Sequence, residues 1–221
     1  MGNEGMLVDL KVAQFLCSRL CHDLAGPVGA VNAGLELLDE GADDAQDALT
    51  LVAHSAREMT RRLAFFRMAF GLGAGAGGGI ALDEARDLAA DLLADGRVTL
   101  DWPPDTSRDR TVPAAALKLV LNLVLLGAES LPRGGALRVH FADLPEGVGA
   151  AVTAIGEGAR FRDDLRAAMA SDVPAGQLSA KTVHAHFAAR LAEDFGVTFE
   201  VSESAPGEVR LAVLLPADRL D

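Results

Sequence analysis

Aromatic side chains are scarce in this sequence, which contains nine Phe, one Trp and no Tyr among its 221 residues. Half of the residues are nevertheless hydrophobic, so the chain can bury a substantial core in one large domain or two small ones. With so few rings available, that core must consist mainly of Ala, Leu and Val. Such side chains favour closely packed helices.

Basic side chains are in the minority, because 20 Lys and Arg stand against 32 Asp and Glu, giving a net charge of −12 and a pI of about 4.8. This balance argues against a general nucleic-acid-binding surface, since phosphate backbones are bound by clustered Lys and Arg. We therefore expect no nucleic acid partner. Phosphate chemistry at one local basic position stays compatible with this charge.

Long apolar runs are also missing, and no stretch reaches the ~18 residues that span a bilayer. The first ten residues lack the basic start and the apolar segment of a signal peptide. The sequence therefore predicts a cytoplasmic protein without membrane association.

Cysteine occurs only twice, at Cys17 and Cys21, four residues apart within one helical pattern. Two thiols at this spacing are more often buried packing groups than a disulfide or a metal site. We therefore predict that both side chains are buried by packing.

Residues 7–40 are predicted to form a long helix, because apolar side chains recur along them at seven-residue intervals. The main stripe consists of Leu10, Cys17, Leu24, Val31 and Leu38, and the intervening positions are filled by Ala13, Leu20, Cys21, Val28 and Leu35. This pattern is typical of a helix packed in a bundle or a coiled coil.

A second helix is predicted over residues 44–70, after an acidic turn near residue 42. Its apolar stripe has three- and four-residue spacing and consists of Ala45, Ala48, Val52, Ala56, Met59, Leu63, Phe66 and Phe70. Two amphipathic helices joined by a short turn indicate an antiparallel hairpin. Since a pair of helices buries only one face of each, we predict that the hairpin joins a second copy in a dimeric four-helix bundle.

The glycine-rich segment 71–79 is predicted to be a flexible linker between a hairpin domain, residues 1–73, and a second domain, residues 80–221. In the second domain, the patterns predict helices over 82–93, 113–130 and 179–195, and strands over 97–102, 135–141, 149–155, 197–202 and 208–215. The fold class is therefore α+β, with an antiparallel-leaning sheet and helices in two layers.

His22 occupies the outermost position of the first predicted helix. With Cys17 and Leu24 at the a position of the heptad, His22 falls at f, farthest from the apolar seam. Pro27 and the nearby glycines cost helix stability, roughly 3 kcal/mol for Pro and 1 kcal/mol for each Gly. Small neighbours would give a partner's active site access to the imidazole, and an exposed Phe15 would offer it an apolar contact. The predicted partner-binding surface around the ring is formed by Phe15, Ser18, Arg19, Ala25, Gly26 and Gly29.

An antiparallel hairpin that turns near residue 42 places Arg61 opposite His22. We therefore predict a local basic patch that combines Arg19 with Arg57, Arg61 and Arg62, while the acidic side chains gather at the tip of the hairpin. A basic patch suits a phosphorylated histidine and the acidic pocket of a partner. Helical position alone also fits an ordinary surface histidine on a solvated helix face.

The segment His-Asp-Leu-x-x-Pro-Val at 22–28 resembles the phospho-acceptor box of two-component histidine kinases, in which an acid follows the His and a Pro lies five residues on. The longer string LCSRLCHDLAGPVGAVNAGLELL is similar to the ChpT-type histidine phosphotransferases of bacterial cell-cycle phosphorelays. The likeness continues at LAFFRMAFG (63–71) and VTLDW (98–102) and covers essentially the whole chain.

This resemblance implies the fold of a histidine kinase, with a phosphotransfer hairpin followed by a degenerate ATP-binding-like domain. It implies that His22 receives phosphate from the receiver domain of a hybrid kinase and passes it to response-regulator receiver domains, which in that family are of the CckA, CtrA and CpdR types. No cofactor of its own is expected, because the partner receiver supplies the acyl phosphate and a bound Mg²⁺. The resemblance assigns Nε2 of His22 as the nucleophile. Asp23 would accept a hydrogen bond from Nδ1–H, unless it is simply a solvated helix acid.

The second domain departs from the nucleotide motifs of a working histidine kinase. Asn122 stands on the helix where an Asn binds Mg–ATP, but Gly127 takes the place of the second Asn. Ala154 replaces the Asp of the adenine loop, and residues 179–186 lack the glycines of the lid over the phosphates. Because three parts of the nucleotide site are missing together, we expect no ATP binding.

Bifunctional kinases carry Thr or Asn four residues after the His, to orient a water for phosphatase action, whereas this chain has Gly26. We therefore expect phosphate to be relayed or returned, not hydrolysed.

The other histidines are expected to serve no catalytic role, with His140 on a strand and His54 on a helix surface. His184 and His186 lie about 200° apart around a helix, so they cannot share a metal.

Two other functions stay open from the sequence. One is an ATP-dependent histidine kinase core or a related ATPase, which requires ATP affinity or autophosphorylation without a partner. The other is a dimeric scaffold that binds receiver domains without chemistry, for which the loss of His22 would leave the output unchanged.

Overall fold

The computed structural model describes residues 9–39, 45–71, 80–104 and 111–220. The predicted turn near residue 42 and residues 72–79 of the predicted linker lie outside these ranges. Two long helices come first, α1 (Leu10–Asp39) and α2 (Ala45–Phe70), and a mixed domain of helices and strands follows. The predicted α+β class is therefore confirmed.

The two helices of the hairpin pack closely against each other at a glycine. A Cβ built on Gly34 would lie 2.6 Å from Cγ2 of Val52 and 3.2 Å from the carbonyl oxygen of Ala48. A larger side chain would push the helices apart, so glycine sets their spacing here. Residue 34 of α1 thus lies opposite residues 48–52 of α2, as expected for an antiparallel pair.

The second domain is built around a five-stranded sheet. The elements of this domain are β1 (Ile80–Ala81), α3 (Leu82–Leu93), β2 (Val98–Asp101), β3 (Thr111–Val112), α4 (Ala114–Glu129), β4 (Gly135–Leu144), β5 (Gly147–Ile155), α5 (Asp163–Ala168), α6 (Val183–Asp194), β6 (Phe199–Ser202) and β7 (Glu208–Pro216). Short 3-10 turns occur at Ala175–Gln177 and Ala217–Arg219. The strand order of the sheet is β2-β4-β5-β7-β6, and β1 and β3 form a separate antiparallel pair.

Helix α4 lies at the centre of the helical layer. It contacts the sheet on one side and α2, α3 and α6 on the others, so that ten of its residues are buried. A Cβ on Gly127 would lie 2.7 Å from Cδ1 of Leu137 and 2.9 Å from Cγ1 of Val152. Glycine at this position therefore lets α4 pack directly on β4 and β5.

The sheet is mostly antiparallel, as the sequence predicts. Strand β2 pairs with β4 in parallel, while the other pairings within the five-stranded sheet are antiparallel. A parallel pair needs a crossover connection, which α4 supplies between these two strands. Helix α5 was not predicted, because six residues are too few to establish a helical period.

The hairpin and the second domain share one core. Val12 of α1 and the α2 residues Phe65, Phe66 and Ala69 belong to the same buried cluster as the apolar side chains of α4 and the sheet. The hairpin and the second domain thus pack as one unit in the described structure. None of the helices within the described ranges is both long and apolar enough to cross a membrane.

The hairpin leaves many apolar side chains uncovered. Among the described residues, the exposed large hydrophobic side chains lie mostly on α1 and α2, at Leu10, Val28, Leu35, Leu37, Leu49, Leu51 and Leu63, with Leu144 and Leu214 elsewhere. Cys17 and Cys21 are exposed too. The prediction that the thiols are buried is therefore wrong for the single chain, because α2 and the second domain cover only part of the heptad stripe.

Candidate functional site

His22 projects from the middle of α1 into solvent, with 88% of its side chain exposed. The helix continues through Pro27, whose ring is buried and which lacks the N–H that would bond the carbonyl of Asp23 in a regular helix. His22 is therefore presented on an uninterrupted but locally weakened helix. Its exposure agrees with the outermost heptad position.

The surface next to the ring is formed by small residues. Ser18, Ala25, Gly26 and Gly29 are all exposed. A Cβ built on Gly26 or Gly29 would meet no atom within 4 Å. Neither glycine is required for packing within this chain, so the surface on this side of the imidazole is open.

The imidazole of His22 contacts the Asp23 carboxylate, which in turn lies near the Arg19 guanidinium. Nδ1 of His22 lies 3.3 Å from Oδ1 of Asp23. Oδ2 of the same carboxylate lies 3.7 Å from Nε of Arg19, one turn earlier. A carboxylate only accepts hydrogen bonds, so this contact favours hydrogen on Nδ1 and leaves Nε2 facing outward with its lone pair.

Phe15 does not lie free on the surface. Its ring is half-buried and packs against the main hydrophobic core. The N-terminal half of α1 contacts α6 and the turn at 175–177, so its inner face is covered by the second domain. The prediction of an exposed Phe15 is therefore wrong, because the heptad pattern does not show where a second domain packs.

The predicted basic patch is partly neutralised. Arg61 forms an ion pair with Asp95, in the turn after α3. Arg62 donates to Oε1 of Glu58 from Nε, at 3.0 Å, and from Nη2, at 2.6 Å. The prediction of a basic patch is therefore corrected, because Asp95 and Glu58 neutralise part of the positive charge of Arg61 and Arg62. Arg57 is exposed.

A cleft of about 330 Å³ opens beside Asp23, between the hairpin and the second domain. Arg19, Asp23, Arg62 and Glu129 contribute its charged lining. Its apolar lining comes from Phe66, Phe70, Leu92, Leu93, Val98, Leu125 and Ala128. Arg19 and Arg62 thus share one cleft, as the antiparallel hairpin predicts for residues on opposite helices.

A chain of polar contacts runs from Arg19 into the second domain. The Arg19 guanidinium forms an ion pair with Glu129, the last residue of α4. Oε1 of Glu129 also lies 3.2 Å from Nδ1 of His184, whose Nε2 lies 3.0 Å from Oδ1 of Asn122. Sequence reasoning missed Glu129, because a contact across 110 residues leaves no local pattern.

The environment of Glu129 favours its charged form. Burial raises the pKa of this carboxyl, but the hydrogen bond and charge of His184, together with those of Arg19, outweigh it and lower the pKa below its ordinary value. Glu129 is thus a carboxylate at neutral pH, held between two nitrogen-bearing side chains.

Asn122 is enclosed and fully occupied by neighbours. Its side chain is buried, and Nδ2 donates to the carbonyl oxygens of Ala69, at 3.0 Å, and Lys118, at 2.8 Å. Its Oδ1 faces His184. Both N–H groups and the oxygen are therefore engaged with the protein itself.

His186 is held away from His184. Its Nδ1 donates to the carbonyl oxygen of Ala168 at 3.1 Å, which ties α6 to α5. Burial lowers the pKa of His186, and the charge of Arg190 adds to that effect. The part of the chain that the structure describes contains no group of three or more His, Cys, Asp or Glu side chains placed to hold a metal ion.

Known proteins resemble this chain over most of its length. The family model "Histidine phosphotransferase C-terminal domain" matches residues 82–207. Protein phosphotransferase ChpT of Brucella abortus (strain 2308) is 33% identical over 196 residues, which cover 89% of this chain and 92% of that protein. The chain belongs to the histidine phosphotransferase family. This confirms the resemblance inferred from the residues around His22.

The solved structures include one close in shape to this phosphotransferase. The 1.7 Å structure of a bacterial phosphotransferase superposes with a TM-score of 0.78 at 29% identity, covering 95% of this chain and 98% of that one. The arrangement of the hairpin on the second domain is therefore shared with a solved member of the same functional class.

Proposed function

We propose that this phosphotransferase carries phosphate on His22 in a two-component phosphorelay, taking it from one receiver-domain aspartate and delivering it to another. The observation that carries the proposal is the geometry of His22. The ring is exposed, small residues surround it, and Asp23 lies at Nδ1 so that Nε2 faces a partner. Family membership supports the same chemistry.

In the proposed reaction, the neutral imidazole attacks the phosphorus of an aspartyl phosphate in line. A bond forms between Nε2 and phosphorus, the bond from phosphorus to the aspartyl oxygen breaks, and the carboxylate leaves with that electron pair. The ring becomes positive as its lone pair is used, and the adjacent Asp23 carboxylate stabilises this charge. Mg²⁺ on the receiver neutralises the phosphoryl oxygens, so this chain needs no cofactor of its own.

The second domain supports phosphate supply by another protein instead of by ATP. Asn122 is buried and bonded to Ala69, Lys118 and His184. Gly127 leaves no room for a ligand side chain, since even a Cβ would approach Leu137 closely. A working nucleotide site needs these positions open and polar.

The proposed partners are the receiver domain of a hybrid histidine kinase and the receiver domains of response regulators. The proposed active form is a homodimer. The apolar side chains left exposed along α1 and α2 support this assembly, because seven of them line the hairpin. A second copy would cover them and complete a four-helix bundle.

The test is transfer of phosphate from a labelled receiver domain in the presence of Mg²⁺. We expect wild type to acquire an acid-labile, base-stable label, as a phosphoramidate gives, and His22→Ala to acquire none. His54→Ala is the matched control, because this exposed histidine lies on α2 and should leave labelling intact. A labelled His22→Ala variant would refute the proposal, and binding without any label in wild type would favour the scaffold.

A separate measurement addresses ATP. Titration of Mg–ATP into the purified protein should give no heat of binding, and incubation with labelled ATP alone should leave His22 unmodified. Tight ATP binding or autophosphorylation would instead identify an ATP-dependent histidine kinase core.

A further inference from the structure

Glu129 joins the second domain to the helix that carries His22. It is the last residue of α4, and its carboxylate contacts the Arg19 guanidinium of α1 on one side and Nδ1 of His184 of α6 on the other. Glu129 therefore connects three helices from both parts of the molecule. The proposed chemistry at His22 makes no direct use of it.

One end of this chain is fixed by burial. His184 is fully buried, and its ring stacks edge-on to Phe70 of α2 with the centroids 5.7 Å apart. Its partner Asn122 is also fully buried and bonded to two backbone carbonyls. Because neither side chain has room to move, they hold the Glu129 carboxylate in a defined position.

The other end of the chain reaches the reactive ring. The Arg19 side chain is 19% exposed and contacts two carboxylates, those of Glu129 and Asp23. The Asp23 side chain is 26% exposed, and its Oδ1 lies 3.3 Å from Nδ1 of His22. The chain of contacts thus runs from the buried Asn122 and His184, through the partly exposed Glu129, Arg19 and Asp23, to His22 at the surface.

We infer that Glu129 is a positioning residue for His22, acting through Arg19 and Asp23. Its catalytic consequence rests on the proposed phosphotransfer. Arg19 contacts the carboxylates of both Asp23 and Glu129, so its positive charge is divided between them. It therefore holds the Asp23 carboxylate in place and neutralises only part of its charge. Asp23 then keeps hydrogen on Nδ1 of His22 and Nε2 free for attack.

Loss of the Glu129 charge changes this balance in a definite direction. Arg19 then has Asp23 as its remaining carboxylate and pairs with it more closely. The hydrogen bond from Nδ1 of His22 to Asp23 weakens, and a larger share of the neutral ring carries its hydrogen on Nε2. That form has no lone pair on the attacking nitrogen, so the rate of phosphate uptake falls.

An ion pair between domains also stabilises their packing, so a test must separate stability from positioning. The variant is Glu129→Gln, which keeps the shape and hydrogen-bonding oxygen and removes the charge. Glu157→Gln is the matched control, because Glu157 forms an exposed ion pair with Arg133 on the second domain. Arg19→Lys is the second variant, since it keeps the charge but loses the fork that spans two carboxylates.

The first readout is the tautomer of His22, from long-range ¹H–¹⁵N spectra of histidine-labelled protein at about pH 8, where an ordinary histidine is neutral. We expect Nδ1–H to predominate in wild type and Glu157→Gln, and its share to drop in Glu129→Gln and Arg19→Lys. This measurement needs no phosphate, so it decides the positioning role even if the proposed function fails.

The second readout is phosphate uptake from a labelled receiver domain. We expect Glu129→Gln to lower the rate at saturating receiver about fivefold, the effect of one net hydrogen bond, and to leave KM unchanged. Variants that melt earlier yet keep the wild-type tautomer and rate would overturn the inference and reduce Glu129 to a structural contact. Failure of wild type to take up phosphate would count against the proposed function alone.

Discussion

Glycine serves opposite purposes at different positions of α1. At Gly34 a Cβ would collide with Val52 on α2, whereas at Gly26 and Gly29 it would meet open space. Packing within this chain thus explains the first glycine and not the other two. Glycine destabilises a helix by about 1 kcal/mol relative to Ala, so Gly26 and Gly29 need another explanation. Access of a partner to His22 is one.

Replacing Gly26 with Ala should therefore stabilise the protein and impair docking. We expect the free energy of unfolding to rise by about 1 kcal/mol, because Ala favours the helix and the methyl group has room. The same methyl group should obstruct a receiver domain and raise KM for phosphate uptake roughly fivefold, equivalent to about 1 kcal/mol. Denaturant unfolding and transfer kinetics measure the two effects.

Gly34→Ala provides the control for this substitution. Ala gains the same helix propensity there, but overpacking against Val52 costs about 1–3 kcal/mol, so no stabilisation is expected. A Gly26→Ala variant that docks as well as wild type would show that the small residues around His22 have no role in access.

Helices α5 and α6 are joined by a contact that depends on pH. His186 is buried on α6 and donates to the carbonyl oxygen of Ala168 on α5. Burial lowers its pKa below the ordinary value of about 6.5. Below pH ~6.5 the unfolded chain therefore binds a proton at this residue that the folded chain resists, so stability falls as pH falls.

His186→Asn should reduce this pH dependence. Asn retains an N–H for Ala168 and does not titrate, so the difference in unfolding free energy between about pH 7.5 and about pH 5.5 should narrow. His140→Asn, at an exposed position of β4, should leave the difference as in wild type. An unchanged pH dependence in His186→Asn would mean that this ring is protonated without cost in the folded protein.

At the scale of the whole molecule, the hairpin has two apolar sides. The second domain covers one of them, and the other is exposed in the described chain. Val28 and Leu35 lie one heptad apart on α1, 41% and 50% exposed. Leu49 and Leu63 lie two heptads apart on α2, 50% and 43% exposed. A second copy of the hairpin, with the same period, would match these rows in a four-helix bundle.

Val28→Glu combined with Leu35→Glu should convert the proposed dimer to a monomer, because two charges per chain would be buried against apolar side chains. Light scattering coupled to gel filtration measures the mass. Leu214→Glu is the control, since this exposed leucine lies on β7 and not on the hairpin. A wild-type protein that is already monomeric would refute the dimer.

The local elements were predictable because periodic burial leaves a periodic pattern. The predicted helix over 82–93 matches α3, and the predicted strands over 149–155 and 208–215 match β5 and β7 to within two residues. His22 was predictable as an exposed side chain for the same reason, since its heptad position opposes the apolar seam. Period and position are properties of the chain itself.

The surroundings of His22 were decided by the tertiary structure. Phe15 is covered because the second domain packs on α1, Arg61 is paired because the turn after α3 brings Asp95 to it, and Glu129 meets Arg19 across 110 residues. Each of these contacts joins parts of the chain that are distant in sequence and follow no common period. The sequence by itself determined the elements and the exposed histidine, whereas only the packing of the second domain on the hairpin decided which charges and rings surround it.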